Sequence, residues 1–295
     1  MRLTFNSIRD GLDAINTASE QFASAQWQVS SGRRIRTSSD DPLAAQSAVN
    51  DHAEIATLDS YSKASDSAVS RLAMLDSVLG DVVDKITQAL TATQSARGSS
   101  VSASGRAAAS DTLKGIRDTI AGDINTTFNG SSLFSGSKAL TTSYARVGGA
   151  WTYQGDAVAV TLAVDRSRSV TLATDGQAIL KGSDSTDLLS VLDSVAAAAA
   201  SGDAAGLDAG MDALNRAFRR AVDAQGHVGT EQQSVSDGQT RLATMRLAST
   251  AQLSKDQDAN VVEAIAKMNQ AQITYQAALG AVGAASKVSL LDYIK

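Results

Sequence analysis

The residue types that most often carry catalysis are sparse in this sequence. The histidines are His52 and His227, and neither lies in a metal-ligand cluster such as HExxH. The chain has no cysteine, which excludes disulfides, thiolate zinc sites and cysteine nucleophiles. No GxSxG elbow, Walker-type phosphate loop or GxGxxG motif occurs. We therefore predict a non-enzymatic protein with no catalytic residue, metal site or cofactor.

Two groups of carboxylates invite a chemical interpretation. Residues 256–260 (DQDAN) begin like a calcium-binding loop, but the glycine and glutamate required at its sixth and twelfth positions are absent. Asp40 and Asp41 are adjacent, yet they directly precede Pro42. Because Asp is a favoured N-cap and Pro a favoured first helical residue, we expect these carboxylates to start a helix rather than transfer protons.

A short basic cluster, Arg33, Arg34 and Arg36, precedes these carboxylates. It is too short to predict nucleic-acid binding, and the net charge of −5 does not favour adhesion to nucleic acids or membranes. Two interpretations stay open for the arginines. They belong to a solvated hinge, or they contact carboxylates of a neighbouring subunit.

The elements that position these residues are predicted to be long helices. Aromatic residues make up 4% of the chain and one proline occurs, which favours slim helix–helix packing. Apolar residues alternate in steps of three and four at both ends, as in the a/d positions of a coiled coil. The predicted seam residues are Ile8, Leu12, Ile15, Phe22 and Val29 near the start, and Val261, Ile265, Met268, Tyr275, Leu279 and Val282 near the end. Ser19, Gln26 and Gln272 are polar layers within these seams.

Matched seams at opposite ends predict that the two ends pair with each other. We expect helices from Pro42 to Arg97, from Arg106 to Phe128 and from a cap at Asp184 or Ser185. Short β-prone runs separated by glycine turns lie between them. The predicted fold is mainly α: a long helical bundle or coiled-coil rod with a small β-rich insert in the middle.

Three regions follow from this interpretation. They are a terminal coiled-coil domain (1–40 and 257–295), a helical rod domain (41–130 and 183–256) and a β-rich surface domain (131–182). The surface domain is expected to share few contacts with the helices. No apolar segment of a secretory signal opens the chain, and no window approaches the roughly 20 apolar residues that span a bilayer. If the protein is exported, we expect export without a cleaved signal.

Several motifs resemble the flagellin superfamily. Residues 28–45 (QVSSGRRIRTSSDDPLAA) resemble its N-terminal signature, and the Ser-Asp-Asp-Pro form is similar to that of the junction proteins between flagellar hook and filament. Residues 130–136 (GSSLFSG), 153–156 (YQGD) and 288–294 (VSLLDYI) resemble further motifs of those proteins, with Ser132 where an aromatic residue is usual. The signature residues are Ser31, Gly32, Arg33, Arg34, Asp40, Asp41, Pro42, Leu133, Phe134 and Gly136.

The resemblance implies an extracellular structural protein that assembles with itself, with hook-associated protein 1 and with flagellin. It also implies an export chaperone and type III export. Two alternatives stay open. Filament flagellin shares the signature, although Pro42 and residues 289–294 differ from the usual flagellin pattern. A non-flagellar coiled-coil adaptor shares only the heptads.

Overall fold

Long helices dominate the chain, which confirms the predicted mainly α class with a small β insert. The computed structural model describes the backbone of residues 2–98 and 100–293, and the side chains of residues 9–98 and 100–284. Its helices are α1 (Arg2–Ser31), α2 (Pro42–Ala96), α3 (Ala103–Ile124), α4 (Gly176–Leu180), α5 (Leu188–Ser201), α6 (Ala204–Gln257) and α7 (Val261–Tyr293). Its strands are β1 (Thr127–Phe128), β2 (Ser131–Ser132), β3 (Tyr144–Val147), β4 (Ala150–Tyr153), β5 (Val160–Asp165) and β6 (Arg168–Ala173).

The chain forms two compact units. The terminal unit comprises Met1–Leu58 and Thr244–Lys295, and the central unit comprises Asp59–Ala243. These boundaries differ from the three predicted regions. The beginning of α2 and the end of α6 group with the chain ends, and residues 131–182 group with the central helices.

Side-chain caps explain where α2 and α3 begin. Asp41 accepts a hydrogen bond from the backbone N–H of Ala44 (3.1 Å), and Pro42 is the first helical residue, which confirms the predicted start. Ser102 caps α3 in the same way by accepting from the N–H of Gly105. This helix ends at Ile124, before the predicted end at residue 128.

The start of α5 also differs from the prediction. Asp187 is its N-cap and accepts from the backbone N–H of Ser190 at 3.0 Å. Asp184, one of the predicted caps, instead accepts hydrogen bonds from Arg216 and Arg220 of α6, at 2.9 and 2.8 Å. The Asp184 carboxylate therefore forms ion pairs with α6, which is distant in the sequence, instead of capping α5.

One hydrophobic core holds the central unit together. Five helices, α2 to α6, contribute buried residues to it, and α5 and α6 approach so closely that a Cβ at Gly210 would lie 2.2 Å from a methyl of Val195. The fully buried helical residues include Leu72, Leu75, Leu79, Val82 and Ile86 of α2, Leu113 and Ile120 of α3, Leu189, Leu192 and Val195 of α5, and Leu214 and Val235 of α6. These residues form a helical bundle with an aliphatic interior.

The β insert consists of three antiparallel pairs: β1–β2, β3–β4 and β5–β6. Asn129 and Gly130 form the tight turn between β1 and β2. Both have positive φ (51° and 79°), which is the backbone geometry that two-residue hairpin turns require. The preceding helix, α3, has already ended at Ile124.

The β insert does not behave as a separate surface excursion. Phe134 and Tyr144 are almost wholly buried, and they belong to the same core as the bundle helices. Leu133, Val164, Val170, Ile179 and Leu180 join them there. The expectation of few contacts with the helices is therefore wrong. Short strands of two to six residues cannot form a core of their own, so their apolar side chains pack on the helices.

Among the described residues, no helix combines the length and apolar character that crossing a membrane requires.

Candidate assembly site at the paired chain ends

Helices α1 and α7 lie antiparallel against each other within the terminal unit. Phe22 stacks on Tyr275 with ring centroids 6.5 Å apart and ring planes 3° from parallel. Closer to the chain ends, Gly11 lies against Val282. Ile15, Phe22 and Val29 of α1 and Met268, Tyr275 and Val282 of α7 are half-buried. The structure thus brings together these predicted seam residues from opposite ends of the sequence.

The second row of the seam differs from the predicted one. On α1 the residues turned towards α7 are small, and they precede the predicted positions by one: Gly11, Ala18 and Ala25 instead of Leu12, Ser19 and Gln26. On α7 the row is Ala264, Ala271 and Ala278 instead of Ile265, Gln272 and Leu279. Glycine and alanine permit close approach of the two backbones, so the packed row is the one with the smaller side chains.

The displaced residues lie at the edges of the helix pair. Leu12 is 51% exposed, Ile265 is 41% exposed and Leu279 is 44% exposed. Val261 is 52% exposed because α1 ends at Ser31, so no residue of α1 lies opposite the first turn of α7. Ile8 lies outside the residues whose side chains are described, as do residues 288–294.

The signature loop after α1 joins the two ends of the chain. Gly32 adopts a left-handed conformation (φ 68°) and Ser31 accepts a hydrogen bond from the N–H of Arg33 at 3.2 Å. Arg33 then pairs with Asp258 as an isolated antiparallel bridge. The backbone N–H of Arg34 donates to the carbonyl of Gln257 at 2.7 Å. The loop is therefore tied to the turn between α6 and α7.

The guanidinium of Arg34 connects two helix ends. Nη2 donates to the backbone carbonyl of Asp256 in the last turn of α6 (2.9 Å), and Nη1 donates to Oδ2 of Asp41 (3.0 Å). The carbonyl ends of helices favour cations and the N–H ends favour anions, so both contacts are electrostatically favourable. Arg34 is thus hydrogen-bonded within its own chain and is not a freely solvated residue.

The two signature carboxylates are fixed by hydrogen bonds. The backbone N–H of Ala44 and the Arg34 side chain hold the pKa of Asp41 below its usual range. Asp40 accepts from the backbone N–H groups of Thr37 and Arg36, both at 2.9 Å, and these bonds lower its pKa. Both carboxylates therefore remain ionised at neutral pH, and they shape the loop instead of transferring protons.

A second cluster of signature residues lies in the central unit. Gly136 has φ 64°, and a Cβ added there would lie 2.1 Å from the carbonyl oxygen of Asp156. The Asp156 carboxylate accepts from the N–H and hydroxyl of Ser137, at 2.8 and 2.6 Å. Tyr153 donates its hydroxyl to the carbonyl of Phe134 at 3.0 Å. The residues 130–136 and 153–156 that resemble family motifs thus interlock.

Ser132, which departs from the family pattern, also has a structural explanation. Its side chain is buried, and its hydroxyl lies 2.9 Å from the hydroxyl of Ser143. The two buried hydroxyls hydrogen-bond to each other at the position where an aromatic residue is usual in the family. Leu133, the neighbouring signature residue, is fully buried in the core of the central unit.

Some contacts of these sites could not be found from sequence motifs. Asn125 hydrogen-bonds both the carbonyl and the N–H of Tyr144, each at 2.9 Å, as a neighbouring strand would. Gln257 and Asp256 accept hydrogen bonds through their backbone carbonyls. Every residue type has such a carbonyl, so the sequence does not indicate these contacts. The small-residue row could have been found by asking which side of each helix lacks bulky side chains.

The calcium-loop-like segment and the two histidines lie at ordinary positions on helices and turns. The segment 256–260 comprises the last two residues of α6 and the turn before α7, where Asn260 caps the helix by accepting from the N–H of Val262 at 3.1 Å. His52 and His227 are exposed on α2 and α6. Across the described part of the chain, no group of three or more His, Asp or Glu side chains is arranged to hold a metal ion.

Comparison with known proteins agrees with the helical class and with the signature loop. Residues 8–139 match the family model of the bacterial flagellin N-terminal helical region. The solved structure of FlgL from Xanthomonas campestris has the same fold, with a TM-score of 0.62 and 16% identity over 68% of this chain and 98% of that one. The chain is therefore similar in sequence to the flagellin N-terminal helical region and in fold to FlgL.

Curated relatives are more specific. Flagellar hook-associated protein 3 of Escherichia coli (strain K12) is 32% identical over 192 residues, which cover 59% of this chain and 60% of that protein. The protein of the same name from Salmonella typhimurium (strain LT2) is 31% identical over the same shares. The chain thus aligns with about 60% of the length of these relatives. The resemblance to the flagellin superfamily, and to hook-associated protein 3 within it, is confirmed.

Proposed function

We propose that this chain is a structural subunit of the bacterial flagellum that joins the hook to the filament. The observation that carries the proposal is the signature loop 28–45, which closes the paired chain ends by hydrogen bonds to residues 256–259. The curated relatives that match this chain are named flagellar hook-associated protein 3. The protein would act by packing and self-association, without an active site.

The exposed apolar side chains at the edge of the α1–α7 pair support self-association. Leu12, Ile265 and Leu279 remain about half exposed within one chain, although their types and spacing are those of a coiled-coil seam. Apolar side chains that occupy coiled-coil positions and stay exposed in one chain are available to pack against another copy. We infer that neighbouring subunits cover these residues in a ring, while Phe22 and Tyr275 hold the pair together inside each subunit.

The partners proposed from the resemblance are hook-associated protein 1 on the hook side and flagellin on the filament side. A dedicated chaperone would hold the subunit before type III export. The acidic net charge and the mixed surface give no reason to add a nucleic acid or a membrane to these partners. The protein would function outside the cell.

The second candidate is filament flagellin itself. The family model that matches residues 8–139 describes the flagellin N-terminal helical region, and it supports this candidate as well as the first. The two candidates differ in copy number and position. A junction protein forms one ring at the base of the filament, whereas flagellin occurs along its whole length.

Immunogold labelling of isolated flagella tests both candidates. We expect label confined to the boundary between hook and filament. Continuous label along the filament would favour flagellin, and label absent from flagella would contradict both. In cells, Leu279→Asp should leave the protein exported but weaken its assembly, so that flagellin is released into the medium. Gln272→Leu is the matched control, since it adds an apolar group to the same edge and should preserve assembly.

A further inference from the structure

We propose that a cavity in the central unit binds a linear aliphatic diamine, whose chain packs on an apolar floor and whose two ammonium groups lie at two carboxylates of α6. The cavity has a volume of about 410 Å³ and is lined by residues of α2, β6, α4 and α6 and by Thr174, which follows β6. All of these residues belong to the central unit. Diamine binding would therefore not depend on the flagellar function proposed above.

The floor of the cavity is aliphatic. Leu72 of α2, Ile179 of α4 and Val228 of α6 line it, and all three are buried. No aromatic side chain is among the described residues that line the cavity. A planar ring would therefore find no ring to stack on, whereas a methylene chain can bury its whole length against aliphatic side chains. The lining favours an aliphatic ligand.

Small side chains keep the cavity open. Ala178 of α4 and Ala224 of α6 both line it, and neither fills the space beside it. The resulting volume falls within the range of about 300–1,000 Å³ that is typical of small-molecule sites. Because Ala178 is exposed, a larger side chain can be placed there to fill the cavity without replacing a buried residue.

The guanidinium of Arg220, which also lines the cavity, is occupied by acceptors of its own chain. Nε and Nη2 donate to the carbonyls of Ile179 and Leu180, at 3.1 and 3.0 Å. Nη1 donates to Oδ2 of Asp184 at 2.8 Å, and Asp184 also accepts from Arg216. Each guanidinium nitrogen thus has a partner, so Arg220 does not require an anionic ligand.

Two carboxylates at the cavity have no such partner. Asp223 is exposed and Glu231 is partly exposed, and neither forms an ion pair within the described part of the chain. They lie eight residues apart on α6, with His227 between them. Unpaired negative charge beside an aliphatic floor is complementary to a ligand that has an apolar body and cationic ends.

The spacing of the carboxylates indicates the length of the ligand. A helix rises about 1.5 Å per residue, so the backbones of Asp223 and Glu231 are about 12 Å apart along the axis of α6. An extended chain advances about 1.2 Å per bond, so the nine bonds between the nitrogens of 1,8-diaminooctane span about 11 Å. A shorter diamine such as 1,4-diaminobutane cannot reach both carboxylates at once.

Both ends and the chain between them are needed for binding. An exposed ion pair contributes little by itself, so one ammonium group at one carboxylate gives weak binding. Joining two such groups through a chain of matching length makes the second contact intramolecular. The chain adds the burial of its methylene groups on the aliphatic floor.

Isothermal titration of the purified full chain with 1,8-diaminooctane tests the site. We expect this diamine to bind at least about tenfold more tightly than octylamine, 1,4-diaminobutane or octane-1,8-diol. Addition of the diamine should also shift the methyl NMR resonances of Leu72, Ile179 and Val228. This second measurement uses the wild-type chain, so it does not depend on the folding of any variant.

Four variants locate the binding. Asp223→Asn and Glu231→Gln should each weaken it about threefold, and Asp212→Asn is their matched control, because it removes an exposed charge of α6 that does not line the cavity. Ala178→Trp should abolish binding by filling the cavity. Gln177→Trp is its matched control, because it adds the same ring to the adjacent exposed residue of α4 and should bind as the wild type does.

Four results would overturn the diamine site. Octylamine that binds as tightly as 1,8-diaminooctane would mean that the two carboxylates do not act together. An equal loss in Asp212→Asn would reduce the effect to general charge. Binding without shifts of the three floor methyl groups would place the diamine elsewhere, and absence of saturable binding would mean that the cavity does not take this ligand.

Discussion

A disulfide introduced between α1 and α7 is expected to form within a single chain. A Cβ placed on Gly11 lies 3.9 Å from the Cβ of Val282, and disulfide-bonded cysteines have Cβ atoms about 3.5–4.5 Å apart. The Val282 methyl that would crowd this Cβ, at 2.7 Å, is absent once Val282 is also replaced by cysteine. Gly11→Cys/Val282→Cys should therefore close nearly completely under mild oxidation.

The matched control shifts one cysteine by a single residue. Leu12→Cys/Val282→Cys moves the thiol by about 100° around α1, since a helix has about 3.6 residues per turn. Leu12 is 51% exposed, so its thiol should point past α7 and remain free. Because the natural chain has no cysteine, non-reducing electrophoresis and thiol labelling report these pairs without background.

Two outcomes would refute the reasoning. Equal closure of both cysteine pairs would mean that the seam has no fixed register, contrary to the glycine and alanine rows. Closure of Gly11→Cys/Val282→Cys only as linked dimers at low protein concentration would mean that α1 and α7 pair between copies instead of within one chain. Mass spectrometry of the linked peptides separates these outcomes.

Further predictions concern the seam, the interlocked motifs and the insert. Ala271→Asp buries a carboxylate and should destabilise the pairing of α1 with α7 by about 3 kcal/mol. Leu279→Asp places its carboxylate at a half-exposed position and should destabilise the pairing in the isolated chain by about 0.5 kcal/mol or less. Hydrogen exchange of the α1 and α7 amides compares the two variants. Gly136→Ala forces a Cβ against Asp156 at positive φ, so denaturant unfolding should show the central unit weakened by about 2–4 kcal/mol; a loss under about 1 kcal/mol would contradict the close approach. Hydrogen bonds from Ser137 lower the pKa of Asp156 in the folded chain. The stability that these bonds contribute is therefore present above the unfolded pKa of about 3.9 and is lost as pH falls through the lower folded value. Asp156→Asn should flatten that part of the acid unfolding curve, and an unchanged curve would argue against the contact. Replacing residues 142–181 with a Gly/Ser linker should abolish cooperative unfolding of the central unit, because it removes core residues; retained cooperativity would show that the helices suffice.

Half of the α1–α7 seam could be predicted from the sequence. Large residues repeat every seven positions, as at Ile15, Phe22 and Val29, and this repeat identifies one row without ambiguity. The other row follows after either three or four residues, and apolar side chains at Leu12 and Leu279 favoured the wrong choice. The row that packs consists of glycine and alanine. These residues are only weakly hydrophobic, so the sequence pattern does not show that the two helices approach most closely there.

The helix start at Pro42 was predictable because capping depends on neighbouring residues alone. The contacts of Arg34 were not, because they join backbone carbonyls 222 residues away in the sequence. The position of the β insert was also visible, through its turns and short β-prone runs. Its packing into the central core was not, since strands this short carry no pattern that says which face is covered.

The antiparallel pairing of α1 with α7 has a consequence for the order of folding. A chain grows from its N-terminus at about 5–20 residues per second, and domains generally fold as they are completed. The central unit is complete once residue 243 has been made, but α1 has no partner until α7 follows. Phe22 and its neighbours in α1 therefore cannot pack on α7 until the rest of the chain has been synthesised. The terminal unit is necessarily the last part of the molecule to close.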